Sequence, residues 1–525
     1  MQSDSKSGNS LEPDNSKSKY GSSWSNEIPS PMHKSGSTPI TSLIRERIWA
    51  VFVSAAISSL PALLVGCTLA FPSGALLDLT DLEPRKDFKF NSVLSDIFGA
   101  LAPIGALLGA PLAGWIADHA GRKAALMLVG LPYLIGYLMM VCATIIPHPV
   151  AFKTVTLVGR LITGVGLGWS CLATPVYLAE ISSNKLRGVF SSFTQVFLST
   201  GILLIYLLGS IEDFHYYNSS LILIGIVALF ELLMLFLYDT PRWLLAQNQR
   251  AEAIKALKFL RGPKYEIGNE LTTIEMESAK YPRLTTTQAL LELRKKPILL
   301  PLLIICTVMF FQQIGGLNAS TAYSALIFKE AHVENYRLTS AYAVGVVGIV
   351  FTIIAVFIVD LIGRKTLLIV SGIGMLIGTV LLGTFFYVTR SSLCSNTTLL
   401  SDNAEEECNT YLAPMAIASL IFFIASFSIG WGPVPWVLLA ELIPLRVRGV
   451  GSGIATFVNW GAAAIVTGFY LDYAKIVNPW FAWWTFSIFN VAAIVFVVVF
   501  VYETKGKNLE DIQHKFASKK IVAVR

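Results

Sequence analysis

Asp118-His119-Ala120-Gly121-Arg122-Lys123 returns as Asp360-Leu361-Ile362-Gly363-Arg364-Lys365, an offset of 242 residues, and these two stretches decide the fold. A second pair moves with them: Glu180 with Arg187-Gly188 returns as Glu441 with Arg448-Gly449, an offset of 261. Both offsets are close to half of the 525-residue chain, the signature of an internal duplication. Charge is scarce between the hydrophobic runs, so a repeated charge pattern marks two related halves.

Hydrophobic residues make up 54% of the chain, charged residues 14%, and the mean hydropathy is +0.62. A soluble domain of this length has a very different composition. About twelve runs of roughly 18 to 25 apolar residues can be drawn, each long enough to cross a hydrocarbon core of about 30 Å as a helix. They begin near residues 48, 95, 124, 155, 188, 219, 298, 339, 366, 412, 450 and 480. The expected fold is an all-α membrane protein with twelve transmembrane helices in two pseudo-symmetric six-helix lobes.

Lys and Arg are retained on the cytoplasmic side of membrane proteins. With both termini inside, roughly 31 of the 40 Lys and Arg fall in cytoplasmic segments and roughly 8 outside. The opposite orientation inverts that ratio. The net charge of +6 is therefore mainly a topology signal, and nothing in it points to nucleic acid.

Residues 1–47 are rich in Ser, Asn, Lys and Pro and read as a disordered cytoplasmic tail without a cleavable signal. Residues 48–238 form the first lobe, 239–297 a polar cytoplasmic linker with helical spacing at Ile254, Leu257 and Leu260, 298–502 the second lobe, and 503–525 a short tail. Between the ninth and tenth runs, an external loop carries Cys394, the sequon Asn396-Thr397-Thr398, and Cys408. A disulfide between the two cysteines and a glycan on Asn396 are expected there. Cys67, Cys142, Cys171 and Cys306 lie in apolar runs and read as packing residues.

Further motifs occur in a fixed order. Gly159-Arg160 lies in the fourth run, Pro175 and Tyr177 precede Glu180, and Pro241-Arg242-Trp243 follows the sixth run. Gln312-Gln313 with Asn318 marks the seventh, Gly430-Trp431-Gly432-Pro433-Val434-Pro435-Trp436 the tenth, and Glu503-Thr504-Lys505-Gly506 follows the twelfth. In this set, from about Ile48 to about Ile512, the chain resembles the sugar porter family of the major facilitator superfamily. The resemblance implies the major facilitator fold, alternating access, a small-molecule sugar as partner besides the lipid bilayer, no cofactor or metal, and a monomer sufficient for transport. The oligomeric state stays open, and the membrane is either the plasma membrane or an endolysosomal one.

A hexose presents a ring of hydroxyls, and uncharged amides suit it because each both donates and accepts. Matching to the family pattern implies substrate contacts from Gln195, Gln312, Gln313, Asn318 and Asn459, with Trp436 and Trp460 as aromatic walls against the C–H side of the ring. Gln313 and Asn318 differ by about 140° on a straight helix, so both can face one ligand only if the helix bends. Gly315-Gly316 between them lowers the cost of that break. Trp431 reads as packing.

The resemblance implies a cytoplasmic gate of Asp118, Arg122, Lys123, Arg160, Glu180, Arg187, Asp360, Arg364, Lys365, Glu441 and Arg448. Their ion pairs would hold the cytoplasmic halves of the lobes together when the carrier is open outward. The chain departs from the usual glucose carriers at Gly348, Ala322, Ser428 and Tyr502. The Gly-Trp-Gly-Pro form of the tenth run is most similar to the third class of animal hexose carriers and to the trehalose carriers. Where proton-linked relatives have an acid in the first run, Gly66 to Leu76 has none, and Pro72 stands at the corresponding place. Glu231, an acid inside the sixth run, reads as a partnered group near the cytoplasmic end. The expected activity is uniport of a hexose or small disaccharide; the alternatives are a proton-coupled symporter and a non-transporting sensor. No nucleotide-binding loop or nucleophile–base set suggests an enzyme.

Overall fold

The computed structural model describes residues 48–505 apart from 82–85, 183–186, 212–214, 264, 266, 281–285, 391–403 and 445–446. At 48, 187–189, 191–192, 277–280, 286, 360 and 404–411 it describes the backbone alone. Cys394 and Asn396 lie outside the described residues, as do the N-terminal tail and the side chains of Arg187, Asp360 and Cys408.

The first lobe comprises α1 (Ile48–Thr80), α2 (Ser92–His119), α3 (Arg122–Met127) continued by α4 (Gly130–Ala143), α5 (Pro149–Ile181), α6 (Arg187–Gly209) and α7 (Tyr216–Met234). The second comprises α12 (Lys296–Ile314), α13 (Leu317–Glu330), α14 (Tyr336–Ser340), a π-turn (Ala341–Val346), α15 (Val347–Ile362), α16 (Arg364–Arg390), α17 (Ala404–Ile429), α18 (Val434–Leu442), α19 (Arg448–Val477) and α20 (Pro479–Phe500). Four linker helices connect them: α8 (Pro241–Ala246), α9 (Arg250–Arg261), α10 (Ile267–Lys280) and α11 (Thr286–Leu293). Among the described residues, eleven spans are long and apolar enough to cross a bilayer, and the described apolar part of α6, Phe193–Gly209, supplies a shorter twelfth. Lipid offers the backbone no hydrogen-bond partner, so helices that close their own bonds are the stable solution for these sequences. The chain is a multi-pass integral membrane protein.

Small residues let the helices approach to backbone contact, because lipid supplies no hydrophobic force between them. A Cβ on Gly105 or Gly109 of α2 would lie 2.2 or 2.1 Å from the Leu161 or Val165 carbonyl of α5. From the other side, Gly164 and Gly168 of α5 meet the Ala102 and Ala106 carbonyls just as closely. Cys67 is buried and its thiol reaches the Gly201 carbonyl at 3.3 Å. Cys142 is exposed on α4, contrary to the packing expectation for it.

Three spans of the second lobe are interrupted. The seventh breaks into α12 and α13 at Gly315-Gly316, with Gly316 at φ 103°, a left-handed conformation that favours glycine. The tenth breaks into α17 and α18 around Gly430-Trp431-Gly432-Pro433, and the eighth contains the π-turn. Broken membrane helices need neighbours to satisfy the freed backbone groups. Asn490 of α20 donates to the Gly315 carbonyl at 3.4 Å, and Trp431 is fully buried, its indole N–H on the Leu368 carbonyl at 2.9 Å.

The lobes meet along α1–α13, α2–α19 and α6 against the π-turn and α15. The repeated charged motifs lie at one face of the bundle, called here the motif face. Under it, α8 and α9 touch α5 and α1 of the first lobe, while α11 touches α12 and α19 of the second. Arg261 fastens α9: it donates to the Ile181 carbonyl at the end of α5 at 3.1 Å and grips Glu270 through two nitrogens.

Candidate binding site and charged clusters

The break in the seventh span brings together four amide side chains that are 1 to 147 residues apart in sequence. Gln312 Nε2 donates to the Trp431 and Gly432 carbonyls at 2.7 and 3.0 Å, which the break in the tenth span leaves available. Asn459 of α19 donates from Nδ2 to Gln312 Oε1 at 2.8 Å and to the Met309 carbonyl at 3.1 Å. Gln313 Nε2 donates to Asn459 Oδ1 at 2.9 Å, and Asn318 Nδ2 donates to Gln313 Oε1. All four are buried. The result is a chain of neutral amides, Gln312–Asn459–Gln313–Asn318, at the middle of the second lobe. A sugar hydroxyl both donates and accepts, so it can replace any one of these links without leaving an amide unpaired, which would cost about 1–3 kcal/mol.

Trp436 lies one turn of α18 beyond Gly432 and is half-buried. Trp460 is adjacent to Asn459 on α19 and reaches across the lobe boundary to pack with Val65, Ala106 and Leu167 of the first lobe. Its indole N–H is buried without a hydrogen-bond partner among the described residues. Gln195 stands in the first lobe, half-buried on α6. A Cβ on Gly348 would have only Ile424 within reach, at 3.8 Å, so that position is open, while Ser428 is buried.

Arg160 does not join the motif face. It precedes Glu180 on α5 by twenty residues, about 30 Å along the axis. Its NH2 donates to the Thr68 carbonyl at 2.7 Å and its Nε to the Phe98 carbonyl at 3.3 Å. Its guanidinium lies over Phe71 and Phe98, with centroids at 5.6 and 5.2 Å. Arg160 is a buried cation that ties α5 to α1 and α2, apart from the other residues of the expected gate. Burial among aromatic faces and carbonyl oxygens suits Arg, whose planar fork makes several bonds at once.

At the motif face the two halves repeat in atomic detail. In the first lobe, Arg122 donates from Nε to Glu180 at 3.1 Å, and Thr240 donates to the other Glu180 oxygen at 2.5 Å. In the second, Arg364 donates to Glu441 at 3.0 Å and Thr504 to its other oxygen at 2.6 Å. Asp118 adds a 3.5 Å ion pair to Arg122, exposed enough to contribute little. Lys123 donates to the Leu235 carbonyl past the end of α7, and Lys365 to the Val498 carbonyl near the end of α20. Arg448 donates to the Ala440 carbonyl, beside Glu441. These motif contacts each close inside one lobe.

The structure also adds members that the motif reading passed over. Asp239 accepts the Arg122 backbone N–H at 3.1 Å. Glu503 likewise accepts those of Arg364 and Lys365, both at 3.0 Å. Tyr238-Asp239-Thr240 and Tyr502-Glu503-Thr504 are thus a third repeated motif, legible in the sequence as Tyr, acid, Thr at an offset of 264. Burial pushes the Asp239 carboxyl above its usual range, against the pull of the Thr240, Lys123 and Arg122 N–H groups and the Arg122 guanidinium. Glu231 stands near the motif-face end of α7 with Oε1 against the Gly130 backbone, where a Cβ would lie 2.0 Å from it.

Two lobes of six spans, discontinuous helices beside a neutral polar centre and a duplicated charged face define a carrier of the major facilitator class. The chain belongs to the sugar (and other) transporter family, whose model matches residues 45–516. It is 35% identical over 473 residues to solute carrier family 2, facilitated glucose transporter member 8 of Bos taurus, covering 89% of this chain and 94% of that one. It is 33% identical over 471 residues to the facilitated trehalose transporter Tret1 of Anopheles gambiae, covering 89% of this chain and 56% of that longer protein. Among solved structures, the partially occluded inward-open xylose transporter XylE of E. coli superposes with a TM-score of 0.69 at 25% identity, over 88% of this chain and all of XylE.

Proposed function

We propose that this protein is a facilitative sugar transporter that moves a hexose or a small disaccharide such as trehalose by alternating access. The observation that carries the reading is the amide chain Gln312–Asn459–Gln313–Asn318, which offers a sugar hydroxyls' worth of donors and acceptors with no net charge. Relatives named as facilitated glucose and trehalose transporters support the substrate class. Gln195, Trp436 and Trp460 complete the proposed site, with the Trp460 N–H as a further donor.

In this reading residues 48–238 and 298–502 are the moving lobes, 239–297 is the linker, and the motif face is cytoplasmic with both termini. The Lys and Arg distribution supports that orientation. Interlobe bonds far from the motif face, such as Ser73 to Ser324 at 3.0 Å and the Tyr206 hydroxyl to the Thr321 carbonyl at 2.6 Å, support an inward-open state. The charged groups of the motif face would pair across the lobes when the carrier faces outward. Arg187 and Asp360 would join them, and Cys394, Cys408 and Asn396 would form the external disulfide and glycan.

Proton coupling is the second reading, favoured by the likeness to XylE, which is described as a proton:xylose symporter. Uptake of labelled glucose, fructose and trehalose into proteoliposomes, with and without a pH gradient, separates the two. Saturable uptake unchanged by the gradient is expected; uptake that follows the gradient would overturn uniport, and no uptake of any sugar would overturn the substrate class.

A further inference from the structure

Away from the motif face, a carboxylate of the first lobe is bound to the interior of a helix in the second. Asp96, in the first turn and a half of α2, is 2% exposed. Its two oxygens accept backbone N–H groups from within α19 of the second lobe: Oδ1 from Leu471 at 3.0 Å and Oδ2 from Asp472 at 2.9 Å. In an ideal helix those N–H groups point to the carbonyls of residues 467 and 468. The Thr467 carbonyl receives the Tyr323 hydroxyl of α13 at 2.6 Å, and the same hydroxyl stands 3.4 Å from Asp96 Oδ1. Three helices from both lobes thus converge on one buried carboxylate.

The contact is connected to the break in the seventh span. Tyr323 stacks on Tyr470, with ring centroids 5.5 Å apart, and Tyr470 stacks on Phe486 at 6.1 Å. Phe486 in turn lies against Gly316, where a Cβ would come within 3.0 Å of its ring. An aromatic column therefore runs from Asp96 to the joint of α13. Gly99, one turn from Asp96, leaves the room for Tyr323: a Cβ there would lie 2.3 Å from the hydroxyl.

We propose that Asp96 is a latch that holds the face opposite the motif face closed by occupying the Leu471 and Asp472 amides, and that Tyr323 transmits its release to the Gly315-Gly316 joint. Opening this face separates α2 and α13 from α19, so the carboxylate must give up both amides while α19 recovers its own bonds. A buried carboxylate that loses its donors is costly until water reaches it, which makes the latch a two-state element. This rests on the alternating-access reading above.

The test uses the full chain in proteoliposomes with Ser324→Cys as reporter, since Ser324 is fully buried between the lobes when the face is shut. Labelling by an impermeant maleimide added at that face is compared with and without Asp96→Asn, after subtracting the labelling of the parent chain. Asp96→Asn replaces one acceptor by an NH2 group facing an amide N–H, and labelling should rise about tenfold, equivalent to about 1.4 kcal/mol. Tyr323→Phe, which keeps the stack and removes the hydroxyl, should raise it severalfold and serves alone if Asp96→Asn is not recovered folded. Unchanged labelling in the folded variant overturns the latch. Sugar uptake by the parent chain in the same vesicles reports separately on the transport reading.

Discussion

Asp239 and Glu503 occupy equivalent places in the two lobes: each carboxylate accepts the backbone N–H of the duplicated Arg, Arg122 at 3.1 Å and Arg364 at 3.0 Å. Each therefore caps the start of the helix that follows the duplicated Gly, where the free N–H groups attract negative charge. The Thr that follows each acid donates to the duplicated Glu, so every cluster binds the end of its lobe's sixth span to the end of its fourth, while the acid binds it to the loop after the second.

Gly363→Ala should destabilise the second lobe by about 1–3 kcal/mol, because φ 106° with ψ 152° is a region for glycine alone. The added methyl would also lie 2.7 Å from Glu503 Oε2. Thermal unfolding in detergent measures the loss. Glu503→Gln, which keeps the shape and removes the charge, should cost less than Gly363→Ala; the reverse order would place the strain elsewhere.

Gln312→Ala removes the two bonds to the break in the tenth span and the acceptor of Asn459. At about 1–3 kcal/mol for buried amides left unpaired, sugar affinity should fall roughly 5- to 150-fold. Equilibrium binding of the transported sugar to purified protein measures it. Affinity within twofold of the parent would remove Gln312 from the site.

Trp460→Phe keeps the apolar wedge between the lobes and deletes its indole N–H, which has no hydrogen-bond partner among the described residues. KM should rise by about fivefold, near 1 kcal/mol for one hydrogen bond, with unfolding temperature nearly unchanged. Trp460→Ala also empties the wedge and should lower stability by about 3–5 kcal/mol. A KM unchanged in Trp460→Phe would leave the N–H without a role in binding.

Arg160→Lys retains the charge but loses the fork that reaches both the Thr68 and Phe98 carbonyls. Stability should fall by about 1–3 kcal/mol. The ratio of inward to outward transport rates should change less than it does in Arg122→Lys, whose parent residue belongs to the motif face. A larger change of that ratio for Arg160→Lys would return it to the gate.

Much of this protein was legible in one dimension. Composition and run length report the solvent of each segment, so the spans followed from hydropathy, with starts that fall within eight residues of the observed helices. The duplicated motifs reported two halves because charge is expensive in lipid and survives only where it has a task. Gly315-Gly316 between Gln313 and Asn318 announced a broken helix, and the break is there. Which amides would bond to one another was not legible, nor that Arg160 sits far from the other charges, nor that Tyr238-Asp239-Thr240 matches Tyr502-Glu503-Thr504 in function.

The class of fold, the spans and the neutral polar centre were determined by the sequence alone, because each depends on the local pattern of apolar, small and charged residues. The tertiary structure alone decided the partners of Asn459, the aromatic seat of Arg160 and the grip of Asp96 on Leu471 and Asp472. Those contacts join residues up to 376 positions apart. They depend on the rotation and depth of whole helices, which packing sets and no local pattern encodes.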